Sequence, residues 1–193
     1  MHRRAGLGCM LALGLGLGAF GCGAAAPASP SLSELNGRSV LEPTRFGVLS
    51  SIRETPELPS AVTLGGRASG RVLLYFEFPP PEETRKLLRA QLLLSPTEGS
   101  GDVDVEVSRA DAARAELRAW SDQPRALYPR LAARLGRHAG PERLDVTEIF
   151  LARAERGEPL RLLLRAEPGD GEGISIATGA AGGEAPRLEL YWQ

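Results

Sequence analysis

The side chains that could do chemistry in this chain are few, and their spacing narrows what that chemistry is. Its two histidines are His2 and His138, and its two cysteines are Cys9 and Cys22. A general base active near neutrality and a thiol nucleophile are therefore scarce. No serine stands in a nucleophile-elbow pattern and no histidine pair offers a zinc site. His138, within Gly136-Arg137-His138-Ala139-Gly140, reads as a surface loop residue. Carboxylate pairs remain, because glycosidases use two acids at a set separation. Asp102, Asp104 and Glu106 alternate, so on a strand they share one solvated face and do not flank a bond. Asp170-Gly171-Glu172-Gly173 could ligate a hard cation such as calcium, but it reads as an exposed hairpin turn. No catalytic residue, metal ligand or cofactor is expected, and the chain reads as a non-enzyme.

Aromatic rings offer a different chemistry, since a flat ring presents apolar area to the C–H face of a pyranose while its polar edge stays wet. Trp120, Tyr128 and Trp192 are the candidates. Trp192 ends an alternating run and is expected to be half core, and Trp120 is expected to pack at a sheet edge before it binds anything. Tyr128 lies in an irregular segment with Arg125 and Arg130, whose planar forks could pair with uronic acid carboxylates. Arg125, Tyr128, Arg130 and Trp120 are thus the candidate ligand-binding residues.

The elements that must position these residues begin after a leader. Met1-His2-Arg3-Arg4 precedes an apolar run from Ala5 to Gly21 that is too short and glycine-rich for a comfortable membrane span, and Cys22 follows. This is the pattern of a bacterial lipoprotein signal over residues 1–21, with Cys22 as the lipidated first residue of the mature chain. Several acyl chains give lasting attachment, because each buried methylene contributes only about 0.8 kcal/mol. Ala19 and Phe20 depart from the usual lipobox. The rival reading is ordinary cleavage near Ala24-Ala25-Ala26, giving a periplasmic or secreted protein. The Gly, Ala, Pro and Ser of residues 22–32 cannot bury a core and read as a tether.

Residues 33–193 suffice for one domain with a substantial core, and they contain no cysteine, hence no disulfide. Loss of Arg3 and Arg4 with the leader takes the basic count from 23 to 21 against 24 acids, a net charge near −3 that argues against a nucleic-acid partner. Lys86 is the only lysine, which fits GC-rich coding bias.

Strand signals dominate this domain. Arg71 to Phe78 is a β-branched and aromatic run halted by Pro79-Pro80-Pro81, and Leu87 to Leu94 is a second run ended by Ser95-Pro96. Asp102 to Ser108 alternates strictly, with three valines on one face and acids on the other. Leu160 to Arg165, Gly173 to Ala177 and Arg187 to Trp192 follow, spaced by turns at Pro168-Gly169-Asp170-Gly171 and Gly182-Gly183. One helix is expected from Asp145-Val146-Thr147-Glu148 through Ile149 and Phe150 to Gly157, and a weaker helical signal covers Asp111 to Trp120. Leu127, Leu131 and Leu135 have helical spacing, yet Pro124 and Pro129 interrupt it, so a strand-bearing loop is expected there.

In this order, Arg71 to Phe78, Leu88 to Leu94, Trp120-Ser121, Leu144-Asp145-Val146-Thr147 and Pro186 to Trp192 resemble the DNRLRE domain family. The resemblance covers roughly Leu58 to Trp192, with Tyr75 and Glu77 standing where the family commonly has Arg and Asp. It implies an extracellular jelly-roll β-sandwich of a kind that in some members binds carbohydrate. The expectation is an all-β antiparallel jelly roll with one short helix, acting without catalysis as an envelope binding module for polysaccharide, on the outer membrane if Cys22 is lipidated. The alternative is a structural or assembly lipoprotein that contacts an envelope protein.

Overall fold

The computed structural model describes residues 37–193 other than 56, 83–84, 100, 114–115, 137–139, 154–156 and 181–183. The leader, Cys22, the tether, His138 and the Gly182-Gly183 turn lie outside the described residues. The strands in chain order are β1 (Gly37–Leu41), β2 (Arg45–Ser50), β3 (Ala61–Leu64), β4 (Val72–Phe78), β5 (Leu87–Leu94), β6 (Pro96–Gly99) and β7 (Val103–Ala110). Then come β8 (Ala126–Leu135), β9 (Glu142–Asp145), β10 (Leu160–Ala166), β11 (Ile174–Ala177) and β12 (Arg187–Trp192), with one short helix, α1 (Thr147–Leu151), after β9.

All pairings are antiparallel. One sheet runs β1-β12-β5-β9, a second β2-β4-β10-β7-β8, and a small third β3-β11-β6. Only Ser95 separates β5 from β6, and Ala177 N donates to Ser95 O at 2.9 Å, so the small sheet prolongs the four-stranded one. The chain changes layer at every connection except β5 to β6, β7 to β8 and β11 to β12, so most neighbours within a sheet are distant in sequence. This is the connectivity of a jelly-roll sandwich, in agreement with the expected class.

Alternation explains the core. Val72, Leu74, Phe76 and Phe78 of β4, Val103, Val105 and Val107 of β7, and Leu160, Leu162 and Leu164 of β10 face Ala90, Leu92, Leu188 and Leu190 of the opposite layer in one buried cluster. Phe76 stacks between Phe46 and Phe78, with centroids 5.0 and 6.1 Å away. β4 reads as an apolar run from Val72 to Phe76 because its other face, Leu73 and Tyr75, is covered too.

α1 closes one end of the sandwich with Ile149 and Phe150, the latter edge-on to Trp192 at 6.5 Å. Asp145 Oδ1 accepts from Thr147 N at 3.0 Å and so starts the helix where the sequence predicts. The helix stops at Leu151, short of the expected Gly157, because Leu151 is already exposed and the apolar face has ended. Of the expected helical segment Asp111 to Trp120, the described residues up to Ala119 are not helical, and Trp120 opens a 3-10 turn that runs to Asp122. The segment at 125–137 is largely the strand β8, more regular than the expected loop. Pro168 to Gly173 joins β10 to β11 across two sheets, which corrects the expected hairpin. Among the described residues no helix is long and apolar enough to cross a membrane.

Candidate functional site

The outer face of the five-stranded sheet is built in two parts. Over its centre lies the connection from β7 to β8, residues 111–125, closed at its base where Asp111 N donates to Arg125 O at 3.0 Å. Leu117, Ala113 and Trp120 of this strap pack on Leu49, Leu73, Tyr75 and Leu163. Thr55 N donates to Arg118 O at 3.1 Å and Arg45 Nη1 to Ala113 O at 3.1 Å, fixing it at two further points. Gly47 lets it come close, since a methyl group there would stand 2.5 Å from Leu117 Cδ1. Asp122 Oδ2 accepts from Ala119 N and Arg118 N, and these N–H groups hold its carboxyl below the usual carboxylate range. Under the strap, burial and the Glu77 carboxylate that accepts from its hydroxyl push Tyr75 up to about 12.

Beyond the strap the sheet face is open, and there the expected residues meet. β8 is the edge strand, and its register with β7 jumps from Arg130↔Ser108 to Leu127↔Arg109. Tyr128 and Pro129, joined by a cis peptide, therefore have no partner on β7. Bulges of this kind re-aim a side chain at a sheet edge, and Tyr128 is 78% exposed. Its ring has the Arg130 guanidinium carbon 5.3 Å from its centroid. Arg125, Tyr128, Arg130 and Gln123 line one cleft of about 470 Å³, together with Arg165 from β10. Sequence reading missed Arg165 because β10 reaches this place only through β7, which lies between it and β8.

Two aromatic candidates lie away from the cleft. Trp120 does not line the cleft, since half-buried packing on the strap cluster occupies it. Trp192 is 2% exposed, a full core residue whose Nε1 donates to Ser39 Oγ at 3.0 Å.

The acids of β7 share one face as expected, and β8 supplies bases against them. Asp104 accepts twice from Arg134, at 2.8 and 3.2 Å, and this contact lowers its pKa. Arg134 also stands 3.9 Å from Asp102, and Arg130 lies 3.6 Å from Glu106. Among the described residues no cluster of three or more His, Cys, Asp or Glu could hold a metal ion. Asp170 is fully exposed and sits 4.0 Å from Arg67.

The outer face of the four-stranded sheet carries a feature that was not expected. Glu189 of β12 is fully buried beneath a polar surface. It accepts from Arg38 of β1, from Arg143 of β9 at 2.8 Å and from the Tyr191 hydroxyl at 2.7 Å, so one carboxylate ties both edge strands to the middle of the sheet. Burial pushes its pKa up, but the Tyr191, Arg143 and Arg38 hydrogen bonds outweigh burial and leave it below the ordinary glutamate value. The alternation Arg187-Leu188-Glu189-Leu190-Tyr191 places an acid between a base and a phenol on one face, which was the legible trace of this network.

Compared with known proteins, the chain matches no family model and no curated protein.

Proposed function

We propose that this chain is a non-catalytic, extracytoplasmic polysaccharide-binding module, held on a bacterial envelope membrane through lipidated Cys22. The observation that carries the reading is Tyr128, an exposed ring set outward by a bulge on the wall of an open cleft. A ring so placed offers stacking area to a pyranose, and polar side chains beside it can reach the sugar's substituents. Strands of a packed sandwich hold these groups more precisely than a mobile loop would. The resemblance to the DNRLRE domain family, with its carbohydrate-binding members, supports the same reading.

Affinity electrophoresis in gels containing neutral and acidic polysaccharides tests it. Retardation by at least one polymer, weakened by Tyr128→Ala at unchanged melting temperature, is the expected outcome. A stacked ring contributes about 0.5–1.5 kcal/mol beyond its buried area, so a loss of about threefold to tenfold is anticipated. Folded protein that migrates unretarded in every gel would remove the proposal.

A second reading, an envelope protein partner, rests on β8 as a long edge strand with unpaired backbone groups. Pro129, the bulge at Tyr128 and the exposed arginines of β8 are features that blunt strand addition, and they favour the sugar reading.

A further inference from the structure

The three arginines of the cleft are not equivalent. Arg130 is already matched, with Glu106 at 3.6 Å on one side and the Tyr128 ring on the other. Arg165 lies directly across from Glu106 in the β10–β7 register, but that carboxylate is turned to Arg130. Among the described residues the guanidinium of neither Arg165 nor Arg125 has a hydrogen bond, an ion pair or a ring contact. Arg165 is half-buried on a strand interior to its sheet, Arg125 is exposed at the end of the strap, and no acid lines the cleft that they share. Two such cations facing one cavity leave an unbalanced positive potential there, which an incoming anion relieves.

We propose that Arg165 and Arg125 form the acid-selective half of the cleft and receive the carboxylate of a uronic acid residue whose ring lies against Tyr128. This deepens the polysaccharide reading and rests on it. A guanidinium presents its N–H groups as a planar fork that matches a carboxylate with two parallel hydrogen bonds. Arg165, held along its stem by the sheet, loses less freedom on binding than a fully exposed side chain would. Arg130 is a positioning residue: its charge is matched by Glu106, and its contact with the ring orients Tyr128. The assignment revises the expectation that Arg125 and Arg130 act as the carboxylate-binding pair.

The test uses the full-length protein with polygalacturonate and alginate, each beside its carboxyl-reduced form, and with poly-glutamate as the acidic peptide. Carboxyl reduction is expected to weaken binding by about tenfold to a hundredfold, the scale of one or two charge-assisted hydrogen bonds. Arg165→Gln and Arg125→Gln should each remove most of that preference while leaving binding to the reduced polymers unchanged. Arg165→Lys should restore less than half of it, because an ammonium lacks the fork. The preference should shrink as salt is raised, since exposed charges are screened over about 8–10 Å at 0.10–0.15 M. Equal binding to acidic and reduced polymers would keep the sugar reading and overturn this one. Binding to no polymer by folded protein would overturn both, and poly-glutamate bound as tightly as the polyuronates would make the cleft a site for acidic peptides. Arg125→Gln alters an exposed side chain, so its result stands even if Arg165→Gln fails to fold.

Discussion

Glu189 shows how a single residue can matter more for the fold than its place on the outer face of a sheet suggests. A carboxylate is costly to bury, and what makes it tolerable here is a full set of donors, Arg38, Arg143 and Tyr191, drawn from three strands. Glu189→Gln keeps the shape and removes the charge. Because Arg38 and Arg143 are about half exposed, water can compensate them in part, and the expected loss is about 1–3 kcal/mol, less than for a fully enclosed pair. The pH dependence has a definite sign. The folded pKa lies below the value near 4.3 of an unfolded glutamate, so the charge contributes its full stability above about pH 5 and loses it as pH falls through the folded pKa. Urea unfolding of wild type and variant between pH 7 and 3 should therefore show a gap that narrows with acidification. A constant gap would assign the effect to packing instead of charge.

Among the elements, β4 and β8 mark the two ends of a range. β4 is covered on both faces, and Phe76→Ala removes a fully buried ring between two others, so a loss of about 3–5 kcal/mol by denaturant titration is expected. Its sequence, apolar from Val72 to Phe76 and stopped by three prolines after Phe78, says as much, and β5, β7, β10, β11 and β12 are legible from their own apolar runs or alternation. β8 is ambiguous for a physical reason: residues four apart share a face on a helix and also on a strand, so Leu127, Leu131 and Leu135 fit both. The strap misleads in the opposite way. Ala112, Ala113, Glu116 and Leu117 favour a helix by propensity, but the apolar surface of Leu49, Tyr75 and Leu163, which would otherwise face water, draws the chain out over it. Tyr128, Arg125 and Arg130 are close in sequence and could be grouped without a structure, whereas Arg165 joins them only through the order of strands in the sheet.

At the scale of the whole molecule, the described chain starts at β1, an edge of the four-stranded sheet, and the cleft lies at β8, an edge of the five-stranded sheet. β1 runs directly into β2 and β8 into β9, so β1 and β8 occupy diagonally opposite corners of the sandwich. For the proposed lipid-anchored module, Cys22→Ser is expected to abolish incorporation of labelled palmitate and release the protein from the membrane fraction, and palmitate retained by the variant would rule the anchor out. The diagonal layout also has a mechanical consequence. A polymer held in the cleft and a membrane pulling on the N-terminus would load the sandwich from corner to corner, with the tension entering through β1. That strand is gripped by its five register pairs with β12, by Arg38 on Glu189 and by Ser39 under Trp192. The Glu189 clamp thus sits where tension would first peel the structure, and its acid sensitivity would make the hold on β1 weaker under load at low pH than at neutrality.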